Sequence, residues 1–135
     1  LFGGPRRISG GPFDSFDGVG IGVCLERRSA KVGMASVRFD IEDFAAPSPT
    51  AFAEGLAAVL RAMRAAPEAA VFVGCRAGLG RTGTVLAGLA KFAGIEAPVA
   101  WVRENYDRRA VETAAQEAAV AGLDVAAVKA LLGAG

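Results

Sequence analysis

Histidine is absent from this chain of 135 residues, cysteine occurs twice, tryptophan and tyrosine once each, and the 15 basic and 14 acidic side chains nearly cancel to a formal charge of +1. Each scarcity removes a class of function. Without histidine a metal centre has few candidate ligands, and two cysteines far apart in sequence make neither a zinc site nor a disulfide framework. The balance of charge gives no case for binding nucleic acid or a membrane surface, so any selectivity for an anion has to be local. No apolar run is long enough to span a bilayer and no stretch reads as a signal peptide, so a reducing cytoplasm is the expected compartment. A monomer without metal or cofactor is expected. Residue 1 is leucine rather than methionine, so the chain is expected to lack its natural start. With 53% hydrophobic and 21% charged residues, the length suits one compact domain over residues 1–135.

What is present concentrates in Val71-Phe72-Val73-Gly74-Cys75-Arg76-Ala77-Gly78-Leu79-Gly80-Arg81-Thr82-Gly83-Thr84. A short apolar run ends in a cysteine, a glycine-rich turn follows, and an arginine with two threonines opens a helical pattern, which reads as strand, loop and helix start. Backbone N–H groups of a tight loop at a helix N-terminus converge on one point and favour an anion with several oxygens, such as phosphate. Arg76, Ala77, Gly78, Leu79, Gly80 and Arg81 are the candidate phosphate-binding residues. The Arg81 guanidinium offers a planar fork matched to two phosphate oxygens, and the same positive surroundings favour a cysteine thiolate at Cys75. A Walker A loop is a poor alternative, because Arg81 stands where a lysine is required and the glycine spacing is one residue too long. A merely buried cysteine is the plainer alternative, and it leaves Gly78, Gly80, Arg81 and Thr82 without a reason.

Cys75 to Thr84 resembles the signature loop of the cysteine-dependent protein tyrosine phosphatases, most closely the dual-specificity and cell-cycle branch. That family's pattern is His-Cys, five residues, then Arg and Ser or Thr. Gly74 stands here in place of the histidine, which in the family buttresses the loop and helps keep the thiol ionised. The resemblance spans about Leu1 to Val120, and the loop is its most specific part. It implies Cys75 as nucleophile, Arg81 as phosphate clamp and Thr82 as hydrogen-bond partner of the leaving thiolate.

Three further stretches gain meaning from the resemblance. A cysteine nucleophile needs a carboxylic acid to protonate the leaving oxygen. In Asp40-Ile41-Glu42-Asp43-Phe44-Ala45-Ala46-Pro47 the resemblance favours Asp43, with Asp40 or a solvated loop charge as the alternatives. Glu112-Thr113-Ala114-Ala115-Gln116 resembles the segment whose glutamine orients the hydrolytic water, although Thr113 and Gln116 also have the spacing of a helix capping box. Cys24-Leu25-Glu26-Arg27 resembles the stretch in which phosphoinositide phosphatases carry a second cysteine able to form a reversible disulfide with the nucleophile. A Cys24–Cys75 redox lock is one expectation, and a core cysteine on a buried strand is the other.

The remaining pattern places strands at Val19–Leu25 and Met34–Phe39 and an opening strand fragment with loops from Leu1 to Gly18. Phe52, Leu56, Val59, Leu60 and Met63 recur at helical spacing within Pro49–Ala66, and helices follow after the Cys loop to Gly94, over Ala97–Asn105 and over Asp124–Leu132. Strands leading to a Cys loop and then helices suggest an α/β domain with a small, mostly parallel central sheet flanked by helices. The expectation is a phosphomonoester hydrolase working through a cysteinyl-phosphate, acting on a phosphorylated protein or a small aryl or inositol phosphate, with an aryl phosphate the first choice. The alternatives are a phosphate-binding module with little turnover and, less well matched to Arg81-Thr82 and Asp43, sulfur transfer or arsenate reduction.

Overall fold

The computed structural model describes residues 7–134. The first part of the expected opening strand fragment, Leu1 to Arg6, lies outside those residues. Among the described residues there are four strands: β1 (Ile8–Pro12), β2 (Ile21–Cys24), β3 (Val37–Arg38) and β4 (Val71–Cys75). They form one sheet in the order β1-β4-β2-β3, and every pairing is parallel, with Ile8 and Ile21 both opposite Val71 and Val37 opposite Val23. Parallel neighbours need crossovers rather than hairpins, and the long one from β3 to β4 is made by helix α1 (Pro49–Ala65). Helices α2 (Gly80–Phe92), α3 (Pro98–Asn105), α4 (Ala114–Ala121) and α5 (Val125–Ala134) complete the α/β domain fold.

Alternation along the strands sorts side chains into two apolar clusters. Ile21, Val23, Leu25, Val71, Val73 and Cys75 join the helices in the main core, whereas Cys24 packs with Phe13 and Phe16 against Phe72. The helices therefore sit over one face, and a short 3-10 turn at Phe13–Ser15 covers the other. Helix α1 starts where Ser48 accepts a hydrogen bond from the Ala51 N–H and Pro49 fills the first helical position; such a cap stabilises a helix by about 1 kcal/mol. Its buried stripe is Phe52, Leu56, Val59, Leu60 and Met63, as the spacing predicts. No helix among the described residues is long and apolar enough to cross a membrane.

Two strands are shorter than their sequence pattern. Val19 is exposed between Gly18 and Gly20, whose φ angles of +84° and +81° make a turn, so β2 begins at Ile21. Met34 closes a 3-10 turn, and only Val37 and Arg38 of the expected Met34–Phe39 strand pair regularly with β2. The contact continues irregularly, through Phe39 N–H to Cys24 O and Ile41 N–H to Leu25 O. This leads the chain to Asp43 at the carboxyl end of the sheet.

Candidate active site

Cys75 is the last residue of β4, between β1 and β2, and α2 begins five residues later. Strand, loop and helix thus follow the order read from the sequence. The Cys75 sulfur is almost fully buried and accepts hydrogen bonds from the Gly78 N–H at 3.2 Å and the Thr82 hydroxyl at 3.1 Å. Gly78 has φ +80°, and a Cβ there would stand 2.5 Å from the Gly11 carbonyl carbon, so the loop presses on β1 in a conformation that suits glycine alone.

Arg81 lies in the first turn of α2 and is only 2% exposed. Its Nη1 donates to Glu26 Oε2 at 2.9 Å and to the Ile41 carbonyl at 2.6 Å, which fixes the plane of the guanidinium. Its Nη2 comes within 3.4 Å of Asp43 Oδ1 without hydrogen-bond geometry, and it is buried with no hydrogen-bond partner. An unpaired buried donor on a charged group is costly, so its persistence calls for a partner the protein itself does not supply. Burial of the Glu26 carboxyl works to raise its pKa, but hydrogen bonds from Arg81 and the Arg28 N–H outweigh that and hold it below the ordinary value. Glu26 is a cleft residue that the sequence reading did not single out; its signal was a carboxylate directly after a buried strand.

Cys75, Glu26 and Asp43 share a cleft of about 320 Å³ with Asp14, Arg28, Ser29 and Arg76. Asp14, read only as part of an opening loop, accepts from the Ser29 hydroxyl and the Ala30 N–H and so shapes the rim. Asp43 is 44% exposed and sits in the loop before α1. The phosphate-loop residues Arg76 and Ala77 face solvent, Gly78 and Gly80 are buried, and Leu79 is half-buried.

Gln116 takes the capping alternative and adds a tie. Thr113 accepts from the Gln116 N–H, while Gln116 Oε1 accepts from the Glu112 and Thr113 N–H groups. The amide nitrogen donates to the Ala45 carbonyl at 3.1 Å, and the Thr113 hydroxyl donates to the Phe44 carbonyl at 3.4 Å. Helix α4 is thereby fastened to the loop that carries Asp43. Phe44 and Val111 both have φ of 60°, a conformation that costs a bulky residue roughly 1–3 kcal/mol. Arg103 holds the Val111 turn through the Ala110 and Val111 carbonyls. Cys24 is not brought to the cleft: both thiols are free, Cys24 donates to the Glu26 carbonyl in the Phe13 and Phe16 cluster, and burial pushes its pKa up.

A thiol under two donors, a buried arginine in the first turn of the helix after its loop and a carboxylate in the same cleft fit the class of cysteine-dependent tyrosine and dual-specificity phosphatases. Residues 23–94 match the family described as Tc-R-P: Polymorphic toxin system, DSP-PTPase phosphatase, and the chain belongs to that family. The fold resembles the crystal structure of Tk-PTP in the active form, with a TM-score of 0.74, 22% identity, and 88% of this chain and 92% of that one covered. A glycine-to-alanine mutant form of Tk-PTP gives a TM-score of 0.66 at 26% identity over 78% of this chain and 76% of that one. Two uncharacterized proteins of Methanocaldococcus jannaschii are 54% identical over 50 residues and 55% identical over 47, which is 37% and 35% of this chain. The matched stretches make up 31% and 32% of those relatives, so the chain spans about a third of their length.

Proposed function

We propose that this domain hydrolyses phosphomonoesters in two steps through a cysteinyl-phosphate. The observation that carries the reading is Arg81 Nη2, buried without a hydrogen-bond partner 3.4 Å from the carboxylate of Asp43, which shares its cleft with Cys75. A phosphate oxygen is the acceptor such a donor lacks, and α2 adds the N–H groups of its first turn. In the first step the Cys75 thiolate attacks phosphorus, the bond from phosphorus to the ester oxygen breaks, and Asp43 gives its proton to that oxygen. In the second, water attacks phosphorus, Asp43 takes a proton from it, and the phosphorus–sulfur bond breaks to return the thiolate, which the Thr82 hydroxyl stabilises.

Gln116 has a different part in this scheme from orienting water. Its Oε1 already accepts two backbone bonds and its amide nitrogen reaches Ala45, so its service is to hold the Asp43 loop in place. A phosphorylated protein, with an aryl phosphate as the minimal substrate, suits a cleft of mixed charge in which Arg28 and Arg76 stand among Asp14, Glu26 and Asp43. Multiple phosphates would call for a more uniformly basic rim. The binding-only alternative rests on Gly74 alone, and packing accounts for that glycine, as shown below.

The test is hydrolysis of a small aryl phosphate without added metal by the wild type, Cys75→Ser and Asp43→Asn. Turnover that the serine change abolishes and the asparagine change slows by about a hundredfold, within the range of general acid catalysis, supports the scheme. Binding of vanadate with no turnover would overturn it in favour of the binding module.

A further inference from the structure

The buttressing histidine of the resembling family has no room here. A Cβ on Gly74 would lie 2.7 Å from Phe13 Cα, 2.8 Å from Phe13 N and 2.9 Å from Gly11 O. All three are backbone atoms of β1 and the turn after it, so no side chain fits without moving the strand. Yet the loop still needs a support. Gly78, whose N–H reaches the Cys75 sulfur, has positive φ and no side chain to restrict it, so beyond its contact with β1 its orientation depends on its polar groups.

The other polar group of Gly78 is taken. Its carbonyl accepts a short hydrogen bond from the hydroxyl of Tyr106, the residue that closes α3. The ring is half-buried over Gly10, where a Cβ would meet Tyr106 Cε1 and Cζ at 3.1 Å and Thr82 Cγ2 at 2.7 Å. Tyr106 therefore touches two of the groups that organise the sulfur: the carbonyl of Gly78 and the β1 glycine wedged against Thr82. Burial, then the nearby Cys75 and Asp107, push its pKa up to about 12, so the hydroxyl stays a donor across the range in which enzymes of this class would work.

We propose that Tyr106 is a positioning residue of the phosphate loop, which holds Gly78 from the α3 side so that its N–H stays on the Cys75 sulfur, in place of a histidine before the cysteine. The consequence for turnover rests on the phosphatase reading above; the effect on the sulfur does not. The charged groups lining the cleft are Asp14, Glu26, Arg28, Asp43 and Arg76, with Arg81 buried against Glu26 and Asp43, and Asp107 beside the phenol. None of them changes when only the hydroxyl is removed.

The experiment is Tyr106→Phe, which keeps the ring as a wall of the apolar cavity it lines with Ile8, Leu86, Leu89 and Trp101. Alkylation of Cys75 by iodoacetamide is followed across pH by peptide mass, beside kcat and KM for an aryl phosphate. The expected result is an alkylation rate at acidic pH about fivefold below wild type, the factor one neutral hydrogen bond sets, with equal rates at alkaline pH, and a similar fall in kcat at unchanged KM. A lower melting temperature with the same alkylation profile and kcat would overturn the proposal, because the ring would then be packing only. A shifted alkylation profile in a protein that hydrolyses nothing would keep Tyr106 in this role and sink the phosphatase reading instead. Should the phenylalanine variant not fold, fluorinated tyrosine can be incorporated uniquely, since the chain has one tyrosine. Its hydroxyl ionises at lower pH and then cannot donate. Alkylation slower than wild type where the fluorinated phenol has ionised and the rates have not yet reached their alkaline plateau supports the proposal, and a profile equal to wild type overturns it.

Discussion

The thiol side and the acid side of the cleft are held by opposite means. On the thiol side Cys75, Arg81 and Thr82 are 3%, 2% and 0% exposed, and strand, loop and helix enclose them. On the acid side Asp43 is 44% exposed, Phe44 beside it is exposed in a strained backbone conformation, and hydrogen bonds from Thr113 and Gln116 tie the loop to α4. The two roles in the proposed scheme ask for this difference. An oxyanion is stabilised best by donors that do not reorganise when charge develops, whereas a proton donor has to let substrate in and product out.

If rigidity on the thiol side matters as argued, Arg81→Lys gives the largest loss. Lysine keeps the charge but cannot span Glu26, the Ile41 carbonyl and a phosphate oxygen with one planar fork. A fall of about a hundredfold or more in kcat/KM is expected, the magnitude of removing one oxyanion donor. A lysine variant within a few-fold of wild type would break the contrast between the two sides.

Glu26→Gln sharpens the same side with a pH signature. The folded carboxyl ionises below its ordinary value of 4.5, so its contribution to stability is fully present above that pH and is lost as pH falls through the folded value. The unfolding free energies of wild type and variant should therefore differ most near neutral pH and converge in acid below the ordinary carboxylate range. Denaturant unfolding at several pH values measures the gap. Equal gaps at all pH values would mean that Glu26 does not anchor Arg81 by charge.

Legibility from sequence divides along the same line. The strand–loop–helix of Val71 to Phe92 was readable because its chemistry is local: cysteine, glycines and arginine follow one another, and the helix stripe repeats at its own period. Helix α1, the α4 capping box and the parallel α/β class were readable for the same reason. Glu26 was not, because its partner is 55 residues away and only β2 lying beside β4 brings them together. The Met34–Phe39 strand was overread because an apolar pattern says which residues are buried, while the pairing available beside β2 decides how many form a ladder. The spacing of Cys24 and Cys75 likewise could not say that the first would pack with Phe13 and Phe16 and the second with the main core.

The acid side offers the smallest effect and the most selective one. Thr113 does two jobs: it caps α4 through the Gln116 N–H and donates its hydroxyl to Phe44, one residue from Asp43. Thr113→Val keeps the shape and removes both bonds, so the stability loss should be about 1 kcal/mol, that of one cap. The chemistry should respond unevenly. An ester with a good leaving group needs little help from a proton donor, so its kcat should hardly move, whereas an alkyl phosphate should lose about threefold to tenfold if the loosened loop misplaces the general acid. Thr113→Ser, which restores both bonds without the methyl group, should recover the alkyl rate. A uniform loss for both esters would place the fault in the phosphate loop, through the Val111 N–H that reaches the Leu79 carbonyl, rather than in the loop of Asp43.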